Sequence, residues 1–163
     1  MFETKVAIVV RDDLQSWQKL NVTAFLMSGI VGAAPELVGE PYRDAAGNLY
    51  LSLLVQPVIV LAADRPTIAS IHRRALDRGV RHALYIEEMF VTGHDAANRA
   101  VFAEHGPAEA KVVGLALREE RKLVDKITEL DWDPHQHMPA NWFDQTAKEM
   151  KVEAGQSCSA CHR

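Results

Sequence analysis

Cysteine is scarce in this sequence. The 163-residue chain has two cysteines, Cys158 and Cys161, and both lie within the last six residues. A disulfide framework therefore cannot hold the main part of the chain together. The length suits one compact domain with an appendage and is too short for two full-sized domains, so we expect one hydrophobic core.

Long apolar runs and an excess of positive charge are also absent. No apolar stretch is long enough to span a bilayer, and Met1 is followed by Phe-Glu-Thr-Lys instead of a basic segment and an apolar signal core. The net charge of −4 argues against a general electrostatic affinity for nucleic acid. We therefore expect a cytoplasmic protein with no membrane partner.

The opening of the chain predicts a strand followed by a helix. Residues 6–10 are a continuous run of Val, Ala and Ile, which is typical of a strand covered on both faces. Asp13 is then placed to cap a helix. The spacing of three and four predicts that the inward face of this helix consists of Leu14, Trp17, Leu20 or Asn21, Ala24, Phe25, Ser28 and Val31.

Strand and helix patterns alternate along the rest of the chain. Strands are predicted over residues 49–55 and 57–62 (one bent strand or two), 80–86 and 111–117. Helices are predicted over residues 66–78 (inner face Ile68, Ile71, His72 and Ala75), 95–105 and 119–130 (inner face Leu123, Ile127 and Leu130). This order predicts an α/β domain over residues 1–130, a three-layer α/β/α sandwich with a mixed sheet of about four strands. Residues 131–163 are predicted to be a tail with one short helix.

The loop after the first strand is the first candidate site. In a βα unit, backbone N–H groups and the helix dipole converge beyond the carboxyl end of the strand, where ligands usually bind. We therefore predict Arg11, Asp12 and Asp13 as ligand-binding residues, with Lys19 close by on the helix.

Two segments resemble a known family. The sequence Lys-Val-Ala-Ile-Val-Val-Arg-Asp-Asp-Leu over residues 5–14, with Lys19, resembles the opening of the second (archaeal and eukaryotic) type of peptidyl-tRNA hydrolase. The sequence Leu-Val-Asp-Lys-Ile-Thr over residues 123–128 resembles the closing helix of that family. Residues 3–130, including Trp-Gln-Lys-Leu-Asn over 17–21, also resemble an uncharacterised bacterial family assigned to the same superfamily fold. The resemblance implies that fold for the domain.

The resemblance also implies catalytic roles. Where the hydrolases carry a glutamine four residues after their lysine, this chain has Thr23, and where they carry an aspartate and a threonine four residues apart it has Glu88 and Thr92. Lys19 would stabilise a phosphate or a developing oxyanion, while Glu88 and Thr92 would arrange water. Two functions stay open: a ligand- or partner-binding protein with a degenerate active site, or a hydrolase of peptidyl-tRNA or a related ester. The expected ligand is a small molecule or tRNA-like, and a homodimer is left open.

The end of the chain carries a separate motif. Cys158, Cys161 and His162 match the C-x-x-C-H spacing of c-type haem attachment, but haem is normally attached after export. With His135 and His137 the same thiols form a donor set that suits zinc. The spacing also fits a redox-active thiol pair, or a chain end that binds nothing. We rank zinc ahead of haem c, and no cofactor is certain.

Overall fold

The computed structural model describes residues 2–129. In this range, a central sheet is formed by β1 (Thr4–Arg11), β4 (Val58–Ala63), β5 (His82–Ile86) and β6 (Val112–Glu120). The strand order is β4-β1-β6-β5; β1 and β4 are parallel, while β6 runs antiparallel to both β1 and β5. A separate antiparallel pair consists of β2 (Tyr42–Arg43) and β3 (Leu49–Tyr50).

Helices cover both faces of the sheet. Those of the described range are α1 (Ser16–Ala33), α2 (Arg65–Asp77), α3 (Asp95–Ala103) and α4 (Arg121–Thr128), with short 3₁₀ helices at Pro35–Leu37 and Glu87–Val91. α1 packs mainly on β1, β5 and β6, while α2 and α4 pack on β1 and β6. The predicted α/β sandwich with a four-stranded mixed sheet is confirmed.

β1 is buried because it lies at the centre of this sandwich. Its residues Val6–Val10 are at most 3% exposed. Successive side chains of a strand point to opposite faces, so Val6, Ile8 and Val10 pack in the cluster that contains the inner side chains of α1. The apolar residues between them face the other layer. The continuous apolar run in the sequence follows from this two-sided burial.

The prediction for α2 is confirmed and that for α1 is wrong in register. The four residues of the predicted inner face of α2 are buried, namely Ile68, Ile71, His72 and Ala75. The Asp64 carboxylate accepts a hydrogen bond from the Thr67 N–H at 2.9 Å. α1 begins at Ser16 after Gln15, and Asp13 does not cap it because its carboxylate pairs with Arg11. The buried residues of α1 are Val22, Leu26 and Ile30.

Other boundaries also differ from the predictions. Residues 49–55 do not form one strand, because after β3 the chain makes only an isolated bridge between Val38 and Leu54. β6 continues to Glu120 because its far end pairs with Thr4, so α4 begins only at Arg121. α4 buries Val124, Ile127 and Thr128, and Leu123 is only half-buried.

The predicted tail, with its candidate ligands His135, His137, Cys158, Cys161 and His162, lies outside the described residues. The same holds for Leu130, the last predicted core residue, and the predicted domain boundary therefore stays a prediction. Among the helices of residues 2–129, none is both long and apolar enough to cross a membrane.

Candidate functional site

A groove of about 730 Å³ lies between α1, the 3₁₀ helix Glu87–Val91 and α3. Its α1 wall is made of Trp17, Asn21 and Phe25, which recur every four residues and therefore share one face of the helix. The remaining lining residues are Tyr85, Met89, Phe90, Thr92, Gly93, His94, Asp95, Asn98, Arg99, Phe102 and Ala103.

Four aromatic rings form a continuous chain along the groove. The ring of Trp17 lies edge-on to Phe90, with centroids 6.2 Å apart. Phe90 in turn contacts Tyr85 at 5.3 Å, and Tyr85 lies edge-on to Phe25 at 5.9 Å. Tyr85 is buried and its pKa is raised by that burial. By contrast, Trp17 is 59% exposed and Phe25 is 52% exposed, so their ring surfaces are open to a ligand.

Polar groups line the other side of the groove. The Thr92 hydroxyl donates to the Met89 carbonyl oxygen at 2.8 Å and also pairs with the side-chain amide of Asn98. Arg99 Nε donates to the Asp95 carboxylate at 2.7 Å. Thr92 therefore holds Asn98 in place between the aromatic wall and an exposed ion pair.

The carboxyl end of β1 carries a cluster of four charged side chains. Arg11 is buried, and its guanidinium donates to the Asp13 carboxylate and to Glu87 Oε2, the latter at 2.8 Å. Arg65 Nη2 lies 3.5 Å from Glu87 Oε2 and 3.9 Å from Asp13 Oδ2. Burial lowers the pKa of Arg11, but the hydrogen bonds to Glu87 and Asp13 outweigh it and raise that pKa. The two positive and two negative charges balance within the cluster.

Lys19 lies on the sheet-facing side of α1. It precedes Val22 by three residues and Leu26 by seven, so it continues the buried stripe of the helix toward the end of β1. Lys19 is half-buried, and no ion pair within residues 2–129 involves it. The Thr23 hydroxyl donates to the Lys19 carbonyl oxygen at 2.7 Å.

Glu88 belongs to a different cluster. Its Oε1 lies 3.3 Å from Lys111 Nζ and 3.7 Å from His105 Nε2. Its Oε2 is buried and has no partner among the described residues. Burial acts to raise the pKa of Glu88, but hydrogen bonds from its own backbone N–H and from Lys111, with the charges of Lys111 and His105, outweigh it and lower that pKa. Glu88 is therefore held as a carboxylate beside two basic groups.

Comparisons with known proteins identify a family and a similar solved structure, and both are described as being of unknown function. Residues 4–130 match the model of a family described as "Protein of unknown function (DUF2000)". The chain belongs to this family. A solved structure of a protein of unknown function from Agrobacterium tumefaciens strain C58 is 61% identical, with a TM-score of 0.79, and the match covers 80% of this chain and 96% of that one. No curated protein matches the chain.

The predicted membership of an uncharacterised family is thus confirmed, while the likeness to peptidyl-tRNA hydrolases stays a prediction. In this DUF2000 protein the predicted site residues fall into separate places. Thr92 lines the groove, whereas Lys19 and Glu88 are not among its lining residues. Arg11 and Asp13 pair with each other, and Asp12 is exposed, with its N–H donating to the Ala63 carbonyl oxygen at 2.9 Å. Across residues 2–129, no three His, Cys, Asp or Glu side chains are grouped as a metal site.

Sequence reasoning missed most of the groove of this DUF2000 protein. The sequence pattern predicts Trp17 and Phe25 as residues of the inward face of α1, and it gives no signal for a binding role of Phe90 or Asn98. A signal was present, since α1 carries large apolar side chains on more than one face. A helix that is apolar on two faces either is fully buried or lines a second surface.

Proposed function

We propose that this DUF2000 protein binds a small organic ligand with a flat, apolar ring system and a polar edge. The aromatic groove carries the proposal. Trp17 and Phe25 expose rings beside the packed pair of Phe90 and Tyr85, which suits stacking against a planar ring. Asn98 and Asn21 supply amide groups that can both donate and accept hydrogen bonds at the edge of such a ring.

The volume of the groove fits this class of ligand. Small-molecule sites typically span about 300–1,000 Å³ and combine mostly apolar walls with a few polar groups. At about 730 Å³, with its aromatic wall and the Asp95–Arg99 pair at its border, the groove meets both conditions. Among the lining residues, Asp95 and Arg99 pair with each other, which supports a neutral ligand over a strongly charged one.

The second candidate function is hydrolysis of peptidyl-tRNA or a related ester. It requires Lys19, Glu88 and Thr92 to act on one substrate, but only Thr92 lines the groove. Glu88 is engaged with Lys111, and the Thr92 hydroxyl is used by Met89 and Asn98. This arrangement supports a binding protein with a degenerate active site.

The binding proposal is tested by saturation-transfer NMR of the full chain with adenine and quinoline as flat heteroaromatic probes. We expect saturation transfer to at least one probe and its loss in Trp17→Ala. Leu20→Ala is the matched control, because Leu20 is 73% exposed on the same helix and does not line the groove. The absence of transfer from the wild-type chain, or equal transfer in both variants, contradicts the proposal.

The hydrolase hypothesis has its own test. We expect the purified chain to leave peptidyl-tRNA intact. Turnover that falls by roughly 10²–10³-fold in Lys19→Ala would instead assign Lys19 the role of a charge stabiliser and restore the hydrolase hypothesis.

A further inference from the structure

An uncharged segment runs from β3 through β4, and β4 is the edge strand of the sheet farthest from β5. Residues 49–63, Leu-Tyr-Leu-Ser-Leu-Leu-Val-Gln-Pro-Val-Ile-Val-Leu-Ala-Ala, contain no acidic or basic side chain, although 25% of the whole chain is charged. Charged side chains ordinarily keep surface segments soluble and apart. Fifteen consecutive residues without a charged side chain therefore suggest a segment that contacts another protein surface.

Most of this segment is nevertheless at the surface. Leu51 is 90% exposed. Five further apolar side chains of the segment are more than half exposed, namely Leu49, Tyr50, Leu53, Val55 and Val60. Together the six present on the order of 700 Å² of surface, close to the roughly 800 Å² that each partner contributes to a standard interface. Exposed apolar area of this amount within one segment is typical of an interaction site.

The exposed segment is held in place by its backbone. The N–H of Val55 donates to the Leu37 carbonyl oxygen at 2.9 Å, and the N–H of Gly39 donates to the Leu53 carbonyl oxygen at 2.9 Å. These bonds tie the segment to the turn after α1. The patch is therefore preorganised, which lowers the entropic cost of covering it.

The same segment ends in an unprotected sheet edge. β4 is the last strand of the described sheet on its side, so backbone N–H and C=O groups along its outer edge lack a neighbouring strand. Proteins usually guard such an edge with lysine, inward-pointing charge or a bulge. β4 contains only Val, Ile, Leu and Ala, and Val60 at its centre is 54% exposed.

We propose that a second copy of this chain covers the patch, with β4 of each copy pairing antiparallel across a twofold axis. An isologous interface brings each patch onto itself, so any charge in it would meet its own like charge near the axis. A segment without charge satisfies this condition. Two-fold symmetry also requires paired edge strands to run antiparallel, which extends the four-stranded sheet into one of eight strands.

The dimer leaves the candidate groove open. The strand order β4-β1-β6-β5 puts β4 at one edge of the sheet, while Tyr85 of the groove lies on β5 at the other edge. Each copy therefore retains its groove, and dimerisation and ligand binding are independent proposals.

Light scattering during size exclusion and sedimentation equilibrium test the dimer on the full chain. We expect the wild type to sediment at twice the 18.1 kDa of one chain. In Leu51→Glu and in Val60→Lys, a charge is forced into the apolar interface, and the dissociation constant should rise by at least about 100-fold. Leu20→Glu, at a residue that is 73% exposed but lies outside the segment, should leave the dimer intact, and circular dichroism checks that each variant is folded.

Backbone amide exchange supplies the second measurement. Amides of residues 58–62 should become more protected as the protein concentration rises through the dissociation constant. Standard interfaces are formed at a protein concentration of about 100 μM, so a wild type that is monomeric at this concentration overturns the proposal. If the protein is a monomer whose residues 49–63 are protected from exchange, another part of this chain covers the patch. If the dimer is insensitive to Leu51→Glu and Val60→Lys, the two copies meet through another surface. Either result also overturns the proposal.

Discussion

The backbone of Gly114 lies directly against the side chain of Val22. Gly114 is on the central strand β6, and Val22 is a fully buried residue of α1. A Cβ atom at Gly114 would overlap Val22 Cγ1 and would come within 2.9 Å of Leu26 Cδ1. The absent side chain therefore sets how closely α1 approaches the sheet, and α1 also carries the aromatic wall of the groove.

Gly114→Ala should destabilise the domain by about 1–3 kcal/mol, because an added methyl group in a packed core forces its neighbours to move. Gly32→Ala is the matched control, because Gly32 lies within α1 and a Cβ atom added there meets nothing within 4 Å. It should stabilise the protein by roughly 0.5–1 kcal/mol through its helix propensity. Urea unfolding measures both, and equal effects would contradict the close contact.

The second prediction concerns the charged cluster at the end of β1. Arg11→Met keeps much of the buried side-chain volume but leaves Asp13 and Glu87 without their main partner. Because these carboxylates are partly exposed, we expect a loss of about 1–3 kcal/mol in the free energy of unfolding, less than for a fully buried pair. Arg65→Met, at the exposed side of the same cluster, should change it by about 0.5 kcal/mol or less. The reverse order would show that Arg11 is not the central cation.

The third prediction concerns pH. His72 is buried beside His82, with ring centroids 5.3 Å apart, and burial together with the charge of His82 lowers the pKa of His72 below its ordinary 6.5. The unfolded chain therefore binds a proton more readily than the folded one, so stability falls as the pH drops below about 6.5 toward the folded pKa.

His72→Leu should flatten this dependence between about pH 7.5 and 5, since it removes the buried titrating group. The control is Ile71→Val, which changes the neighbouring buried residue of α2 and removes no titrating group; it should lower the free energy of unfolding but preserve the wild-type slope. Denaturant midpoints at a series of pH values give the slopes. An unchanged slope in His72→Leu would assign the effect to other histidines.

The fourth prediction concerns the tail and rests on the sequence alone. If Cys158 and Cys161 bind zinc with two of His135, His137 and His162, purified protein should contain about one equivalent of zinc. The double variant Cys158→Ser and Cys161→Ser should contain none. Elemental analysis measures the metal, and a Soret band in the visible spectrum would indicate haem instead. If neither zinc nor a Soret band is found, the motif has no bound group.

The success of the sequence predictions depended on how many surfaces each element serves. α2 serves one, and its apolar residues Ile68, Ile71 and Ala75 recur on a single face between polar neighbours. α1 serves two, because Val22 and Leu26 face the sheet while Trp17 and Phe25 face the groove. Hydrophobic periodicity cannot separate a core face from a ligand-facing wall, since both are apolar. The register of α1 and the groove were missed for this one reason.

The charged cluster shows a second limit. The position of Arg11 and Asp13 after an apolar strand pointed to the end of β1. Their partner Glu87 follows a different strand, and the separation of Arg11 and Glu87 by 76 residues leaves no local pattern that joins them. That contact depends on the order of strands in the sheet, which alternating patterns do not specify.

The insertion of β6 between β1 and β5 also governs when the chain can fold. β1 leaves the ribosome about 100 residues before its antiparallel partner, so loop closure for the central pair comes late in synthesis. Until then β1 lacks its central neighbour, and the uncharged segment has already emerged. The nascent chain thus exposes this uncharged segment while residues 64–111 are synthesised, and folding is expected to be completed only when residues 112–120 clear the exit tunnel.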